Sequence, residues 1–280
     1  MESDLYSGKI SLQKEAISQI IISIESSELL KRDDCSMNQI VGVIVAAGRG
    51  HRLRANINNE KQESKPLFPI NGIPLLSYVI NGLTQAGIDK IIVVTGYADN
   101  LISDYVKYIE DEVSIEVITE KNDDWEAGNG TSLMCGLRAA EGNSALISMA
   151  DHLHPIENYK ILLNQRNDAN LLVDFKPNEF LDLADATKAR IINHWILELD
   201  KSLNPYDAID SGLFLFSPKA TQKLEELLSL VGESVSISGL LNLAIKNGLK
   251  LRSIPLQNQL WIDVDTPYDV EMAAKLFSPK

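Results

Sequence analysis

Val43-Ile44-Val45-Ala46-Ala47-Gly48-Arg49-Gly50-His51-Arg52-Leu53 decides the fold class, because here an apolar strand runs straight into a glycine-rich, cationic loop. The run 40–46 is apolar almost throughout, as a strand buried on both faces requires. Small residues at Ala46, Ala47, Gly48 and Gly50 let backbone N–H groups come close to a triphosphate. Arg52, with Lys65 of the Lys65-Pro66-Leu67 tripeptide further on, can neutralise its charge. Residue identity rules out two related loops. A dinucleotide fingerprint wants glycine where Leu53 stands, and a P-loop wants a closing Gly-Lys-Ser/Thr, which the sequence lacks. A plain glycine turn with surface charges stays open as the alternative for this segment alone.

Outward from the loop, strand and helix patterns alternate. Periodicity predicts strands over 40–46, 90–95, 113–119 and 145–149, and helices over 74–86, 99–109, 132–140 and 155–165, an order that gives a parallel sheet covered by helices. Past residue 169 the apolar runs 170–175, 189–192, 195–199 and 209–216 are joined by short turns, which predicts a smaller antiparallel or mixed insertion. Helices over 218–230 and 237–247, a strand over 249–254 and a helix over 267–277 close the chain. Near the start, Leu12, Ala16, Ile17, Ile20, Ile21 and Ile24 form one helical stripe that stops at Lys31-Arg32-Asp33-Asp34. Residues 1–38 therefore read as an amphipathic helix and linker, and 39–280 as one domain. Whether the stripe packs on its own domain or on a partner is open.

With 26 basic and 39 acidic residues the formal net charge is -13, which excludes a general nucleic-acid binder, since such proteins need a basic face. Two cysteines, Cys35 and Cys135, are too few for a disulfide framework or a zinc site and fit a reducing compartment. No apolar run is long enough for a membrane span and the N-terminus lacks secretory order, so the expected location is the cytoplasm. Oligomeric state stays open, a homo-oligomer included.

Three further segments carry chemistry. Asp151 follows the strand 145–149, at the carboxyl end where open α/β sheets hold ligands; its alternative role is a cap for the helix beginning at Pro155. In Trp261-Ile262-Asp263-Val264-Asp265-Thr266-Pro267, alternation puts Asp263 and Asp265 on one face of an extended segment, while Asp265 or Thr266 can cap the helix beginning at Pro267. In Trp125-Glu126-Ala127-Gly128-Asn129-Gly130-Thr131-Ser132, the side chains of Asn129, Thr131 and Ser132 suit a base edge and the glycines permit close approach; helix capping is the alternative.

Together, the run 46–53, Lys65-Pro66-Leu67 and the Trp-x-Asp-Val-Asp-Thr segment resemble the signature of sugar-phosphate and alcohol-phosphate nucleotidyltransferases. The sequence departs from it at His51, where that family usually has Ser or Thr, and in the long insertion between Arg54 and Lys65. The resemblance covers roughly residues 39–277. It implies a three-layer αβα, Rossmann-like fold with a mixed, mostly parallel sheet and a smaller antiparallel acceptor-binding insertion. It implies Mg²⁺ as cofactor, held by Asp151 and by Asp263 or Asp265, with Arg52, Lys65 and Asp151 as the catalytic set. Nucleotide binding would fall to Ala46, Ala47, Gly48, Gly50, His51, Asn129, Gly130, Thr131 and Ser132, and acceptor binding to His152, Lys188 and Asp210. The runs at Asp151-His152, 184–190 and 261–267 resemble CTP:inositol-1-phosphate cytidylyltransferases, with phosphocholine and aminoethylphosphonate cytidylyltransferases next. The expected activity is CMP transfer from CTP to a small phosphorylated alcohol such as inositol-1-phosphate, with release of pyrophosphate. Its rivals are a sugar-1-phosphate, phosphocholine or phosphonate acceptor, and, from another class, a silent nucleotide-binding sensor.

Overall fold

Valine- and isoleucine-rich runs form the parallel strands, and the helices between them bury their apolar stripes on the two faces of the sheet. The computed structural model describes residues 39–50, 52–53, 64–110, 115–231, 234–257 and 260–278. The stripe and linker over 1–38, His51 and residues 54–63 lie outside them. In chain order the elements are β1 (Ile40–Val45), β2 (Pro69–Ile70), β3 (Ile73–Pro74), α1 (Leu75–Gln85), β4 (Lys90–Thr95), α2 (Asp99–Glu110), β5 (Glu116–Lys121), α3 (Asn129–Ala139), β6 (Ser144–Met149) and β7 (His152–Leu153). There follow α4 (Ile156–Leu163), β8 (Ala169–Asp174), β9 (Lys188–Ile192), β10 (Trp195–Asp200), β11 (Ala208–Phe216), α5 (Pro218–Val231), α6 (Ile237–Lys246), β12 (Leu251–Pro255), β13 (Ile262–Asp263) and α7 (Pro267–Leu276).

One nine-stranded sheet has the order β5-β4-β1-β6-β11-β8-β12-β10-β9. The four strands from β5 to β6 are mutually parallel, β11 is antiparallel to both β6 and β8, and β12 is parallel to β8. One apolar layer joins Val41, Val43 and Val45 to Leu133 and Leu137 of α3, Leu224 of α5 and Leu240 of α6. The other joins Ile44 to Leu76 and Leu83 of α1, Ile102 and Val106 of α2, Leu162 of α4 and Ala273 of α7. The expected three-layer α/β fold is what forms.

The segment after residue 169 has the expected antiparallel or mixed character, and it joins the main sheet because β11 takes up the open edge of β6 with Leu213 opposite Ser148 and Phe216 opposite Ala145. Only β9 and β10 form an antiparallel hairpin at its far end. Two boundaries change. β5 runs on to Lys121, past the expected end at 119, because pairing with β4 in the register Thr95 to Lys121 sets its end, not its apolar content. α3 begins at Asn129, three residues earlier than expected, because Gly128 at φ 108° turns the chain into it and the Gly130 N–H donates to the Val235 carbonyl at 3.0 Å.

Candidate active site

β1 and β6 end side by side, with Val45 opposite Met149, so the loops that follow them share one end of the sheet. Gly50 has φ +58°, and a Cβ there would lie 2.3 Å from the Lys65 Cβ. This glycine is needed so that Lys65 can pass close behind the loop. At Gly48, by contrast, a Cβ would meet nothing within 4 Å, so that position faces open space. Val45, Ala46, Gly48, Gly50, Arg52 and Lys65 line a hollow of about 250 Å³. It shares Arg52, Asn129, Asp151 and Asp265 with a larger cleft of about 530 Å³.

The acidic segments are joined by a short ladder. β7 and β13 pair antiparallel with His152 opposite Asp263, and the Val264 N–H donates to the Asp151 carbonyl at 3.0 Å. Asp151 and Asp263, 112 positions apart, thus come together with one ligand atom each of Asp151, His152 and Asp263 within 4.8 Å of one another. Trp261, next to the ladder, stacks with the imidazoles of His152 (5.5 Å) and His154 (5.6 Å) and donates its indole N–H to Asp174 at 2.9 Å.

Lys65 is buried, and its Nζ donates to Asp151 Oδ2 and to Asp265 Oδ1, both at 2.6 Å. Arg52 pairs with Asp265 at 2.8 Å and with Asp185 at 2.5 Å. Burial alone would lower the Lys65 ammonium, but the carboxylates of Asp151, Asp263 and Asp265 outweigh it and hold the pKa well above the usual lysine value. Burial would likewise raise Asp151, yet Lys65 and His152 hold it far below the ordinary carboxylate range. For His152, burial is outweighed by Asp263 and Asp151, which raise the ring to about 9. It is therefore a cation at neutral pH and donates Nδ1–H to Asp151 Oδ1 at 2.8 Å. Asp263 differs from its neighbours: burial, and then the nearby Asp151, push it well above the carboxylate range.

The two aspartates the sequence left open differ in their partners. Asp265 already has both oxygens engaged by Lys65 and Arg52. Asp263 Oδ1 is buried with no hydrogen bond among the described residues, and His152 Nδ1 lies 3.6 Å from it. A hard divalent ion such as Mg²⁺ would satisfy that oxygen. Asp263 offers the unbonded oxygen for it, and Asp151 stands beside it with its two oxygens held by Lys65 and His152, so binding the ion there means exchanging one of those bonds for the metal. Thr266 caps α7 in a capping box with Asp269, and α4 has no side-chain cap, so Asp151 is not the capping residue its position allowed.

The residues proposed to read the base are brought to the same end, but their polar groups are turned to other tasks. Asn122 donates to Thr131 and Ser132 Oγ at 3.0 Å each, Thr131 donates to the Gly128 carbonyl at 2.8 Å, and Asn129 Oδ1 accepts from the Ile237 N–H at 2.9 Å. Gly128 and Gly130 are needed for protein packing: a Cβ on either would lie 2.4 or 2.7 Å from the Val235 carbonyl. Asn129 and Ser132 still line the smaller hollow. Neither Thr131 nor Ser132 caps α3, whose N-cap is Gly128 with no side-chain bond.

On the acceptor side Asp210 and His152 line the cleft, and burial pushes Asp210 up to about 6. Lys188 does not line it. Strand alternation turns Lys188 away while its neighbour Thr187 faces in, and its amine donates to the Lys201 carbonyl and lies 5.8 Å from the Tyr206 ring centre. Lys201 and Asp185 are on the wall in its place.

Gly212 lines the cleft beside Asp210, whose Asp210-Ser211-Gly212 segment resembles an acceptor-side element in which the resemblance implies a role for Asp210 alone. The β11 register shifts between Asp210 and Phe214, Gly212 sits there at φ +75°, and a Cβ on it would lie 2.4 Å from the His152 ring. Gly212→Ala is expected to lower stability by about 1–3 kcal/mol, from the left-handed backbone and the clash, and to lower turnover by moving His152 off Asp151. Urea denaturation and a steady-state assay check this; a variant with unchanged stability and kcat would mean that His152 can move freely.

A mixed α/β sheet with a glycine loop, a buried lysine and paired carboxylates at the carboxyl end of its parallel strands defines a nucleotide-binding domain built for phosphate chemistry. Residues 42–238 match the MobA-like NTP transferase domain, and the chain belongs to that family. Curated relatives include the bifunctional IPC transferase and DIPP synthase of Rubrobacter xylanophilus, 31% identical over 234 residues (83% of this chain, 51% of that protein). The protein of the same name from Archaeoglobus fulgidus is 26% identical over 269 residues (95% and 50%). The chain thus spans about half the length of these relatives. Among solved structures, the inositol-1-phosphate CTP transferase from T. maritima shares the fold, with a TM-score of 0.74, 23% identity and coverage of 88% of this chain and 96% of that one. Among the described residues no helix is long and apolar enough to cross a membrane.

Proposed function

We propose that this chain is a Mg²⁺-dependent cytidylyltransferase that transfers CMP from CTP to inositol-1-phosphate, in the cytoplasm. The observation that carries the transfer chemistry is buried Lys65 between Asp151 and Asp265, beside Asp263 with its unbonded oxygen, at the mouth of the glycine loop. The choice of CTP and inositol-1-phosphate draws on the relatives' names and on the resemblance at Asp151-His152 and 261–267.

In this reading an oxygen of the acceptor phosphate attacks the α-phosphorus of CTP in line. The new O–P bond forms as the bond to the β-phosphate breaks, and pyrophosphate leaves. The acceptor phosphate is already ionised near neutral pH, so no side chain has to act as a base. The Ala46 N–H is spent on the Val94 carbonyl at 2.9 Å, so backbone N–H groups of the 47–50 loop receive the triphosphate, and Arg52 and Lys65 stabilise the charge that builds at the α-phosphate and on the leaving group. Asp151 and Asp263 would hold Mg²⁺, which would supply positive charge to offset that of the phosphates.

Pyrophosphate release is the test, measured with Mg²⁺ for four NTPs against inositol-1-phosphate, phosphocholine, 2-aminoethylphosphonate and several sugar-1-phosphates. CTP with inositol-1-phosphate is expected to be the fastest pair. A faster pair would replace the acceptor or nucleotide named here. Nucleotide binding with no release anywhere in the matrix would favour the sensor.

A further inference from the structure

The cleft that would receive a phosphorylated acceptor is acidic: Asp182, Asp185, Asp210 and Asp263 all face it. A phosphate dianion entering here needs a cation in addition to Arg52, which also serves the triphosphate. Among the described residues the basic side chains lining this cleft are Arg52, His152 and Lys201. His152 is committed to Asp151, and Arg52 spans Asp185 and Asp265. Among the described residues Lys201 pairs with Asp185 alone. Its side chain is 57% exposed, and its Nζ donates to Asp185 Oδ1 at 2.6 Å, while Arg52 Nη1 donates to the other oxygen, Asp185 Oδ2, at 2.5 Å.

A single carboxylate thus holds a lysine and an arginine from opposite sides, one oxygen each. Two oxygens of a phosphate offer nearly the same bite, with a further oxygen and more charge, so a phosphate can take the carboxylate's place between the same two cations. The turn that carries Lys201 is fixed. The Lys188 amine donates to its carbonyl, and Asp200 Oδ1 accepts the Ser202 N–H at 2.7 Å. This is the contribution of the lysine that the sequence had placed on the acceptor itself.

We infer that Lys201 binds the acceptor's phosphate group together with Arg52, and that the Asp185 carboxylate keeps that place until the phosphate arrives. The inference rests on the proposed transferase reading only for the identity of the acceptor; the phosphate subsite itself can be tested without turnover.

Two measurements test it on the full chain. In steady-state assays Lys201→Ala is expected to raise KM for inositol-1-phosphate about 10–100-fold, the loss of one hydrogen bond to a charged group, while KM for CTP stays within about threefold. Lys201→Arg should recover most of the difference. A merely structural role for an exposed turn residue would not split the two KM values. In calorimetric titrations with inorganic phosphate, Lys201→Ala should bind more weakly than the parent. Asp185→Asn, which removes the competing charge, should bind several-fold more tightly. Equal phosphate affinity in parent and Lys201→Ala, or no phosphate binding by the parent, would overturn the subsite. Weaker binding by Asp185→Asn would overturn the placeholder. If inositol-1-phosphate fails as ligand and substrate while inorganic phosphate behaves as expected, the named acceptor falls and the subsite stands.

Discussion

Lys65→Met is expected to lower kcat/KM for nucleotidyl transfer by about 10²–10³, the usual loss when one preorganised donor to developing charge is removed. The same substitution should destabilise the fold by about 3–5 kcal/mol, because it breaks a buried ionic cluster from one side. Both effects have one cause. Lys65 is 5% exposed and is the shared donor to Asp151 and Asp265, each at 2.6 Å, with Asp263 adding to the field that holds its proton. Without it Asp151 keeps only His152 and Asp265 only Arg52, with the space between the two carboxylates left without its cation. Urea denaturation in the absence of divalent ions and pyrophosphate release in their presence measure the two losses separately. A variant with parental stability would show that water screens the cluster, and one with parental kcat/KM would remove Lys65 from the chemistry.

Asp263→Asn and Asp265→Asn should part company although the two residues are one pleat apart. Asp263→Asn is expected to cut kcat about 10²–10³-fold and to raise the Mg²⁺ concentration for half-maximal rate about 10–100-fold. Asp265→Asn loses anchors for Lys65 and Arg52, so its rate falls, while its Mg²⁺ requirement stays within about threefold of the parent. Stability without metal gives an independent reading. Burial lifts the Asp263 pKa in the fold above its unfolded value, so the ionised group costs stability at neutral pH. Asp263→Asn should then be at least as stable as the parent at pH 7, with the difference vanishing as the pH falls below about 4, where the carboxyl is protonated in both states. A Mg²⁺ requirement that moved for Asp265→Asn and not for Asp263→Asn would exchange the two assignments.

The family was legible in the sequence because its signals are local. The strand and glycine loop at 43–53 and the Lys-Pro-Leu tripeptide are short runs that read the same in any register. So are the Trp-x-Asp-Val-Asp-Thr segment and the alternation that puts β1, β4, β5 and β6 in a parallel sheet. The strand 90–95 matches β4 at both ends, since its apolar run and its pairing end together. Where pairing and composition diverge, as for β5, the sheet partner set the boundary.

What the sequence by itself determined is therefore the fold class, the family and the list of charged residues that could act. Only the tertiary structure decided how those charges pair. The β7–β13 ladder brings Asp263 to Asp151 across 112 positions of sequence, leaves one of its oxygens unbonded and gives Asp265 to Lys65 and Arg52. Strand alternation and the hairpin turn put Lys201 into the cleft in place of Lys188, and the β11 bulge at Gly212 makes room for His152. The physical reason is common to all of these. Whether a carboxylate meets a cation, a backbone N–H or open cleft depends on separations of a few ångströms between segments far apart in the chain, and no local pattern of residues encodes them.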